Sequence, residues 1–437
     1  MGDIGKLESE KAIFEILLTA EALRQDTTLR VDDIPPRIRS LFAAAQDGSI
    51  EEIPAISEPF LKEEANIEGA HAIIGKNPFV QYEDFGQRFH LQAFIPALKW
   101  YATHGGTDNI RSNPALSRFA DKEFADKKGW DGLSYETAKK NNPSWVETRE
   151  YIRGKVEDVL KDNEEMQTAR DLTIIYAPEE IEFTIDNLVC TPQQEEMIQK
   201  IRVAKEHLSF LNERQIYEFG KILFVGPPGT GKTSLALAMS RALGMPMLEV
   251  RLAMITSQYL GETAKNIDRI FELAREVAPC ILFIDEFDYV AKSRITDDNA
   301  AMKRAVNMIL KNIDTVSFVK NSVLLIGATN HPQVLDEAAW RRFDEIVPFN
   351  LPDTDMREKI LHKITSRLDC NINFRILAEA TEGFSGADLR ILVKESIISA
   401  LMRDDDKITE EDVTIGMAKV EERNQIRFNG GSKTIHS

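Results

Sequence analysis

The pattern of apolar residues changes about halfway along the chain. From residue 221 onward, short apolar runs alternate with longer segments in which apolar residues recur at helical spacing. The runs are KILFV, MLEVRL, CILFID and SVLLIGAT, and the helical segments include KTSLALAMSRAL and TAKNIDRIFELAREVA. Buried apolar strands that alternate with amphipathic helices predict a parallel sheet sandwiched by helices. We expect this α/β domain to occupy residues 181–350.

The segments on either side of this domain are predicted to be mainly helical. Residues 1–140 alternate helical patches with turns, and their aromatic side chains are expected to form a small core. These aromatic residues are Phe85, Phe89, Phe94, Trp100 and Tyr101. Residues 351–425 show helical periodicity alone and predict a small C-terminal lid domain, which is followed by a flexible tail at 426–437.

Residues 141–180 are interpreted as a helical linker. Ser144 and Glu147 fit a capping box, in which the side chains at the N-cap and at position N3 bond each other's backbone N–H groups. An amphipathic helix is expected to follow this box. Beyond the linker, Thr191 and Pro192 predict the start of another helix, as the N-cap and the first helical residue.

Composition narrows the classes of function. The 437 residues carry a formal net charge of −17, which argues against a protein that mainly grips nucleic-acid phosphates. Cys190, Cys280 and Cys370 lie far apart without metal-binding spacing, so free thiols in a reducing compartment are expected. No stretch approaches the roughly 18 to 20 apolar residues that a membrane span needs. We therefore expect a cytoplasmic protein without a membrane span.

A glycine-rich loop between a predicted strand and a predicted helix carries the strongest functional signal. Its sequence, GPPGTGKT, fits the pattern GxxxxGK[ST]. Glycines let backbone N–H groups curl around phosphates, and the next helix presents its positive N-terminus to the same anion. Lys232 can reach the β- and γ-phosphates, and the Thr233 hydroxyl can bind Mg²⁺. A turn without a ligand is the alternative, but the complete match favours nucleotide binding. The residues predicted to surround the nucleotide here are Gly226, Pro227, Pro228, Gly229, Thr230, Gly231, Lys232, Thr233 and Ser234.

Two acidic residues follow the apolar strand that contains residues 281–284. In open α/β sheets, ligands bind at the carboxyl ends of the strands. Asp285 is therefore placed to hold Mg²⁺, and Glu286 is the candidate base for the attacking water. The alternative is a solvated acidic turn, because Asp288 lies close by. Together with the phosphate loop, the acidic pair favours ATP hydrolysis over binding alone.

With these motifs in this order, the sequence resembles the AAA family of ATPases. GPPGTGKTS and ILFIDEFD resemble the family's paired Walker motifs. VLLIGATN is similar to its sensor-1 strand, whose final residue, Asn330 here, helps to position the hydrolytic water. The segment with Arg341 and Arg342 resembles the one that carries arginine fingers. GFSGADL is similar to the small-domain signature, in which Gly386 and Ala387 would pack close to the nucleotide.

The resemblance covers residues 180–420 and implies a homo-oligomeric ring, usually a hexamer, with ATP bound between neighbours. Arg341 or Arg342 would then stabilise γ-phosphate charge in the neighbouring site, although a surface salt bridge is the alternative for either. Ile364 departs from the family, because several relatives have a histidine near the nucleotide there. Residues 185–189 only loosely resemble the segment that flanks adenine.

Tyr259 and Leu260 lie in a segment similar to the family's pore loop, where an aromatic–aliphatic pair grips a threaded polypeptide. An aromatic ring offers apolar area to side chains of any sequence. A loop aromatic packed on its own subunit is the alternative for Tyr259. The match favours a motor that remodels or unfolds proteins. The rival classes are an ATPase that acts on nucleic acid or on a specific complex without threading, and a non-hydrolysing switch.

Overall fold

The computed structural model describes residues 3–45, 48–124, 134–142, 144–163, 165–252, 263–288, 300–370 and 372–431. The chain forms two compact units, Met1–Tyr151 and Ile152–Ser437. Each unit has its own apolar core. Among the described residues, no helix is both long enough and apolar enough to cross a membrane.

The first unit is mainly helical and is built around α1 (Asp3–Gln25). Its other helices are α2 (Pro36–Arg39), α3 (Glu58–Glu63), α4 (Ala70–Ile74), α5 (Phe94–Tyr101), α6 (Thr107–Arg111), α7 (Pro114–Phe124) and α8 (Tyr135–Lys140). Its antiparallel strand pairs are β1 (Ala43–Ala44) with β2 (Ile50–Glu52), and β3 (Val80–Glu83) with β4 (Arg88–Leu91). Apolar side chains of α1 are buried together with side chains of α5 and α7.

The predicted aromatic core is correct for four of its five members. Phe89, Phe94 and Tyr101 are buried, and Trp100 packs against the same core. Phe85 is 91% exposed, so its assignment to the core was wrong. The reason is its position in the loop that joins β3 to β4, outside both strands.

The helix predicted after residue 144 is present, but its predicted cap was wrong. Trp145–Glu147 forms a single 3₁₀ turn, the Ser144 side chain makes no capping bond, and α9 is Arg149–Asp162. The Thr148 hydroxyl accepts a hydrogen bond from the Tyr151 backbone N–H (3.3 Å) and caps the helix instead.

The cap predicted further along the chain is confirmed. The Thr191 hydroxyl accepts a hydrogen bond from the Gln194 N–H (3.3 Å), and α11 begins at Pro192.

The second unit contains the predicted α/β sheet. Its strands are β5 (Thr173–Tyr176), β6 (Lys221–Val225), β7 (Met247–Val250), β8 (Cys280–Ile284), β9 (Val323–Thr329) and β10 (Glu345–Pro348). They are arranged in the order β10-β6-β9-β8-β7-β5, and all neighbouring pairs are parallel except β5 with β7. Strand β5 lies in the segment interpreted as a linker, so the end of that segment belongs to the sheet. We missed it because it is short and pairs only at the sheet edge.

Helices cover both faces of this sheet. They are α9, α10 (Met166–Asp171), α11 (Pro192–Glu206), α12 (Leu208–Glu213), α13 (Lys232–Leu243), α14 (Thr263–Val277), α15 (Ala300–Thr315), α16 (Phe318–Asn321) and α17 (Glu337–Trp340). Alternate residues of β8 enter different cores: Leu282 packs with α14 and α15, whereas Phe283 packs with α11 and α13. This alternation confirms the predicted α/β sandwich.

A lid of four helices follows, as the periodicity predicts. These are α18 (Thr354–Ile364), α19 (Phe374–Ala380), α20 (Gly386–Leu401) and α21 (Glu410–Gly431). They enclose a separate apolar core that includes Leu361, Leu389 and Val420. The buried Asp412 carboxylate accepts hydrogen bonds from Ser399 (2.8 Å) and Arg403 (2.5 Å) and so ties α20 to α21.

Candidate nucleotide-binding site

The order of the strands brings the ends of three neighbouring strands together. Strand β9 lies between β6 and β8, so Gly226, Asp285 and Asn330 follow adjacent strands at one edge of the sheet. Backbone bonds connect these ends: Gly226 N–H donates to the Thr329 carbonyl (3.2 Å), and Phe287 N–H donates to the Ala328 carbonyl (2.8 Å). The segments with the predicted chemistry therefore share one edge.

The loop between β6 and α13 requires glycine for steric reasons. A Cβ atom at Gly226 would lie 2.0 Å from the Phe349 carbonyl oxygen. Gly229 has a φ of +80°, and a Cβ there would lie 2.7 Å from the Ser385 hydroxyl oxygen. The loop ends at the N-terminus of α13, whose first N–H groups have no partner within the helix and can bind an anion.

Lys232 is the first residue of α13 and is only 6% exposed. Its Nζ donates to the carbonyl oxygens of Gly226 (2.8 Å) and Pro227 (2.9 Å). Burial lowers the pKa of its ammonium group, and the charges of Asp285 and Asp288 oppose that effect. Phosphate oxygens are stronger acceptors than neutral carbonyls, so the ammonium group can exchange these contacts for a nucleotide.

Thr233 and Asp285 provide a pair of oxygen ligands that fits Mg²⁺. The Thr233 Oγ1 donates to Asp285 Oδ2 (3.1 Å), so the two side chains already lie together. Within the described parts of the chain, no group of three or more His, Cys, Asp or Glu side chains could hold a metal ion. Because Mg²⁺ is commonly held by one or two protein oxygens together with water and phosphate, this pair is sufficient.

A cavity of about 380 Å³ opens beside the loop, a size that suits a small ligand. It is lined by polar residues at the start of α13 and directly after β8 and β9, and by apolar side chains such as Leu188 and Ile360. The predicted residues that line it are Pro228, Gly229, Thr230, Gly231, Lys232, Thr233, Ser234, Asp285, Asn330, Gly386 and Ala387. Gly226 and Pro227 adjoin it through Lys232.

The lid contributes to the same cavity. The Ala387 N–H donates to the Gly229 carbonyl (3.1 Å), so the first turn of α20 touches the phosphate loop directly. Ile364, which replaces the histidine of several relatives, lines the cavity and offers apolar contact. Further residues line the cavity that were not predicted from the sequence: Cys190, Gln194, Phe349, Ile360, Lys363 and Arg390.

Asn330 and Asp288 lie side by side at the end of β9. The Asn330 Oδ1 atom is buried and has no hydrogen-bond partner among the described residues. Asp288 is 5% exposed, so the alternative of a solvated acidic turn does not fit this residue. It accepts a hydrogen bond from Thr329 Oγ1 (3.1 Å).

Glu286 is exposed and is not among the residues that line the cavity. Its φ is +51°, a left-handed conformation that costs a non-glycine residue about 1–3 kcal/mol and is often found at functional sites. Its backbone N–H donates to Asp285 Oδ1 (2.7 Å). The strained backbone holds the carboxylate at the end of β8 without tying its oxygens to the cavity wall.

Neither candidate arginine finger lines the cavity of its own chain. The Arg341 side chain is 73% exposed and pairs with Glu337. The Arg342 side chain is 26% exposed, pairs with Asp314 (3.0 Å) and donates to the Leu310 carbonyl (3.1 Å). The pore-loop candidates Tyr259 and Leu260 lie outside the described residues.

The fold and the site define a P-loop nucleotide-binding domain with a helical lid. Residues 222–351 match the model of the ATPase family associated with various cellular activities (AAA). Residues 371–415 match the model of the AAA+ lid domain. The chain therefore contains an AAA ATPase domain followed by an AAA+ lid domain, as the resemblance implied.

Curated relatives are similar to about half of the chain or less. The proteasome-activating nucleotidase of Pyrococcus abyssi is 34% identical over 235 residues, which are 52% of this chain and 59% of the relative. The peroxisomal ATPase PEX6 of Saccharomyces cerevisiae is 37% identical over 190 residues, 42% of this chain and 18% of the relative. The chloroplastic ATP-dependent zinc metalloprotease FTSH 6 of Oryza sativa is 38% identical over 199 residues, 44% of this chain and 29% of the relative. The chain thus spans less than two thirds of each.

Proposed function

We propose that the protein is a ring-forming, ATP-driven motor that remodels or unfolds proteins by threading them through a central pore. The observation that carries this proposal is an AAA ATPase domain in which one cavity joins the phosphate loop, Asp285, Asn330 and the lid. The nucleotide would be ATP with Mg²⁺. A homo-hexamer would place each nucleotide between two subunits.

Each residue of the site has a defined task in this proposal. Lys232 and the first N–H groups of α13 bind the phosphates, and Thr233 and Asp285 hold Mg²⁺, which neutralises phosphate charge. Glu286 accepts a proton from the attacking water. The Asn330 amide orients that water, since its buried Oδ1 has no partner among the described residues and Asn330 lines the cavity.

Arg341 is the better candidate for the arginine finger. It is the more exposed of the two arginines, and its partner Glu337 is exposed as well. Exposed ion pairs contribute only about 0–1 kcal/mol, so Arg341 can leave Glu337 for a neighbouring phosphate at little cost. Arg342 is more deeply held by Asp314 and the Leu310 carbonyl.

Two considerations support a protein as the substrate. The relatives are named as a proteasome-activating nucleotidase, a peroxisomal ATPase and a metalloprotease. The net charge of −17 disfavours nucleic acid as the substrate. Residues 1–140 would recognise a substrate or adaptor, and the lid would span 351–425. The ATPase domain at 181–350 would also include β5, at the end of the segment 141–180 that was interpreted as a linker. The free cysteines suit a reducing compartment and therefore the cytoplasm.

Replacing Tyr259 with alanine is expected to abolish substrate unfolding while ATPase turnover stays within a few-fold of wild type. The aromatic ring of Tyr259 would contribute about 1–3 kcal/mol per subunit to the binding of the substrate polypeptide, the usual scale for burying such a side chain. Tyr259→Phe should retain most unfolding, because apolar area matters more than the hydroxyl. The measurement compares ATP turnover with the unfolding of a tagged fluorescent protein.

Phe85→Ala is the matched control, because it removes an exposed aromatic ring from the first unit. We expect this variant to unfold the model substrate as wild type does. Equal unfolding by wild type and Tyr259→Ala would contradict threading. If only Phe85→Ala lost activity, the protein would work on a specific complex through its first unit, without threading.

A further inference from the structure

Asp288 is a buried carboxylate that, apart from the effect of its charge on Lys232, has no role in the chemistry described above. Burying a carboxylate is costly unless hydrogen bonds compensate for the lost water. One oxygen of Asp288 accepts hydrogen bonds from the Thr329 hydroxyl (3.1 Å) and from the Asn330 backbone N–H (3.4 Å). Asp288 lies just after β8, whereas Thr329 ends β9. The carboxylate therefore ties the ends of two neighbouring strands together.

These bonds act directly on the residue that faces the nucleotide cavity. Asp288 holds the side chain of the residue before Asn330 and the backbone of Asn330 itself. Thr329 is fully buried, so it has little freedom to adopt another position. The bond from Phe287 N–H to the Ala328 carbonyl (2.8 Å) connects the same two segments one residue earlier. These bonds thus hold the backbone that carries the Asn330 amide.

We propose that Asp288 is a positioning residue for ATP hydrolysis, which holds the Asn330 amide in its orientation toward the cavity. The proposal rests on the proposed function, because Asn330 must act on the hydrolytic water. Asp288 is not among the residues that line the cavity, so it works through Thr329 and Asn330. Positioning Asn330 requires a hydrogen-bond acceptor at residue 288 but does not require a negative charge there. An asparagine at 288, whose side-chain oxygen can accept both bonds, would therefore perform it.

The test uses the full chain and compares Asp288→Ala with Asp288→Asn. Small displacements of an orienting group can cost roughly 100-fold in rate, so Asp288→Ala should lower kcat by about 10- to 100-fold. Its KM for ATP and its affinity for a non-hydrolysable ATP analogue should stay within about 3-fold, because the phosphate-binding groups are untouched. Asp288→Asn should retain kcat within about 5-fold of wild type.

A double-mutant cycle with Asn330→Ala shows whether the effect passes through Asn330. Residues that act as one unit give non-additive effects. We therefore expect Asp288→Ala to slow the Asn330→Ala enzyme by no more than about 2-fold. Thr329→Val removes the hydrogen bond to Asp288 at nearly constant shape, together with the bond that the Thr329 hydroxyl accepts from the His331 N–H (3.1 Å), and should also lower kcat. Thr329→Ser keeps the hydroxyl and should retain kcat. This pair keeps the test valid if Asp288→Ala folds poorly.

Several results would overturn the proposal. One is an unchanged kcat in Asp288→Ala, and another is a kcat in Asp288→Asn as low as that of Asp288→Ala. The others are additive effects in the double-mutant cycle, or a loss of affinity for the ATP analogue in Asp288→Ala that is as large as its loss of kcat. Failure of the proposed function is distinguishable, because then wild type would not hydrolyse ATP or Asn330→Ala would be as fast as wild type.

Discussion

Replacing Lys232 with alanine is expected to lower kcat/KM for ATP by roughly 10²- to 10⁴-fold, because two charge-assisted hydrogen bonds to phosphate are lost at about 1.5–3 kcal/mol each. In the structure the ammonium group is held by two loop carbonyls at the start of α13, so it is poised beside the cavity and outside the apolar cores. The variant should therefore remain folded. Binding of a fluorescent ATP analogue measures the loss of affinity, and steady-state ATP turnover measures the loss of rate.

Lys359→Ala is the matched control, because it removes the same charge from an exposed position on α18. It should bind and hydrolyse ATP as wild type does. Thermal unfolding of all three proteins separates loss of the site from loss of the fold. A Lys232→Ala protein with normal turnover would contradict the assignment of the whole site.

Replacing Arg341 with alanine is expected to lower turnover by roughly 10³- to 10⁵-fold while each subunit keeps near-normal affinity for ATP. A guanidinium supplied by a neighbour contributes on this scale to phosphoryl transfer. Arg341 does not line the cavity of its own chain, so its removal leaves that cavity unchanged. Turnover should be measured at saturating ATP, beside equilibrium binding of an ATP analogue.

Two comparisons test whether the loss of turnover is due to Arg341 and whether this residue acts in a neighbouring subunit. Arg342→Ala should reduce turnover less and stability more, because Arg342 is bound to Asp314 and the Leu310 carbonyl within its own chain. Co-expressing Arg341→Ala with Lys232→Ala subunits under different tags should restore part of the activity. In such mixed rings, the intact nucleotide site of an Arg341→Ala subunit can lie next to the intact Arg341 of a Lys232→Ala subunit. Doubly tagged assemblies without activity would contradict action between subunits.

The local patterns were sufficient to predict most of the fold. Strands β6 and β8 and helix α13 lie where their apolar runs and the glycine loop indicated, because burial on both faces leaves a clear pattern in sequence. The phosphate loop, Asp285 and Asn330 were predictable for the same reason, since each directly follows such a strand.

The features that were not predicted depend on contacts between residues that are far apart in sequence, and local patterns of apolar residues do not indicate such contacts. Lys363 and Arg390 line the cavity only because the lid packs beside the phosphate loop, far away in sequence. The hydrogen bonds that Asp288 accepts from Thr329 and Asn330 could not be predicted, because these donors lie at the end of another strand. Phe85 was wrongly assigned to the core and β5 was not predicted, because a hairpin loop and an edge strand carry weak periodicity.

We propose that this cavity binds ATP and that Glu286 supports its hydrolysis. Glu286→Gln keeps the shape of the side chain but cannot accept a proton, so turnover should fall by about 100-fold or more while ATP stays bound. Glu272→Gln, an equal change at an exposed position on α14, is the control.

The most direct test is to measure bound ATP and released phosphate in the same samples of wild type, Glu286→Gln and Glu272→Gln with Mg²⁺. The account predicts phosphate release from wild type and Glu272→Gln, and uncleaved ATP retained by Glu286→Gln. Phosphate release by Glu286→Gln at the wild-type rate, or a wild-type protein that binds ATP without releasing phosphate, would contradict it.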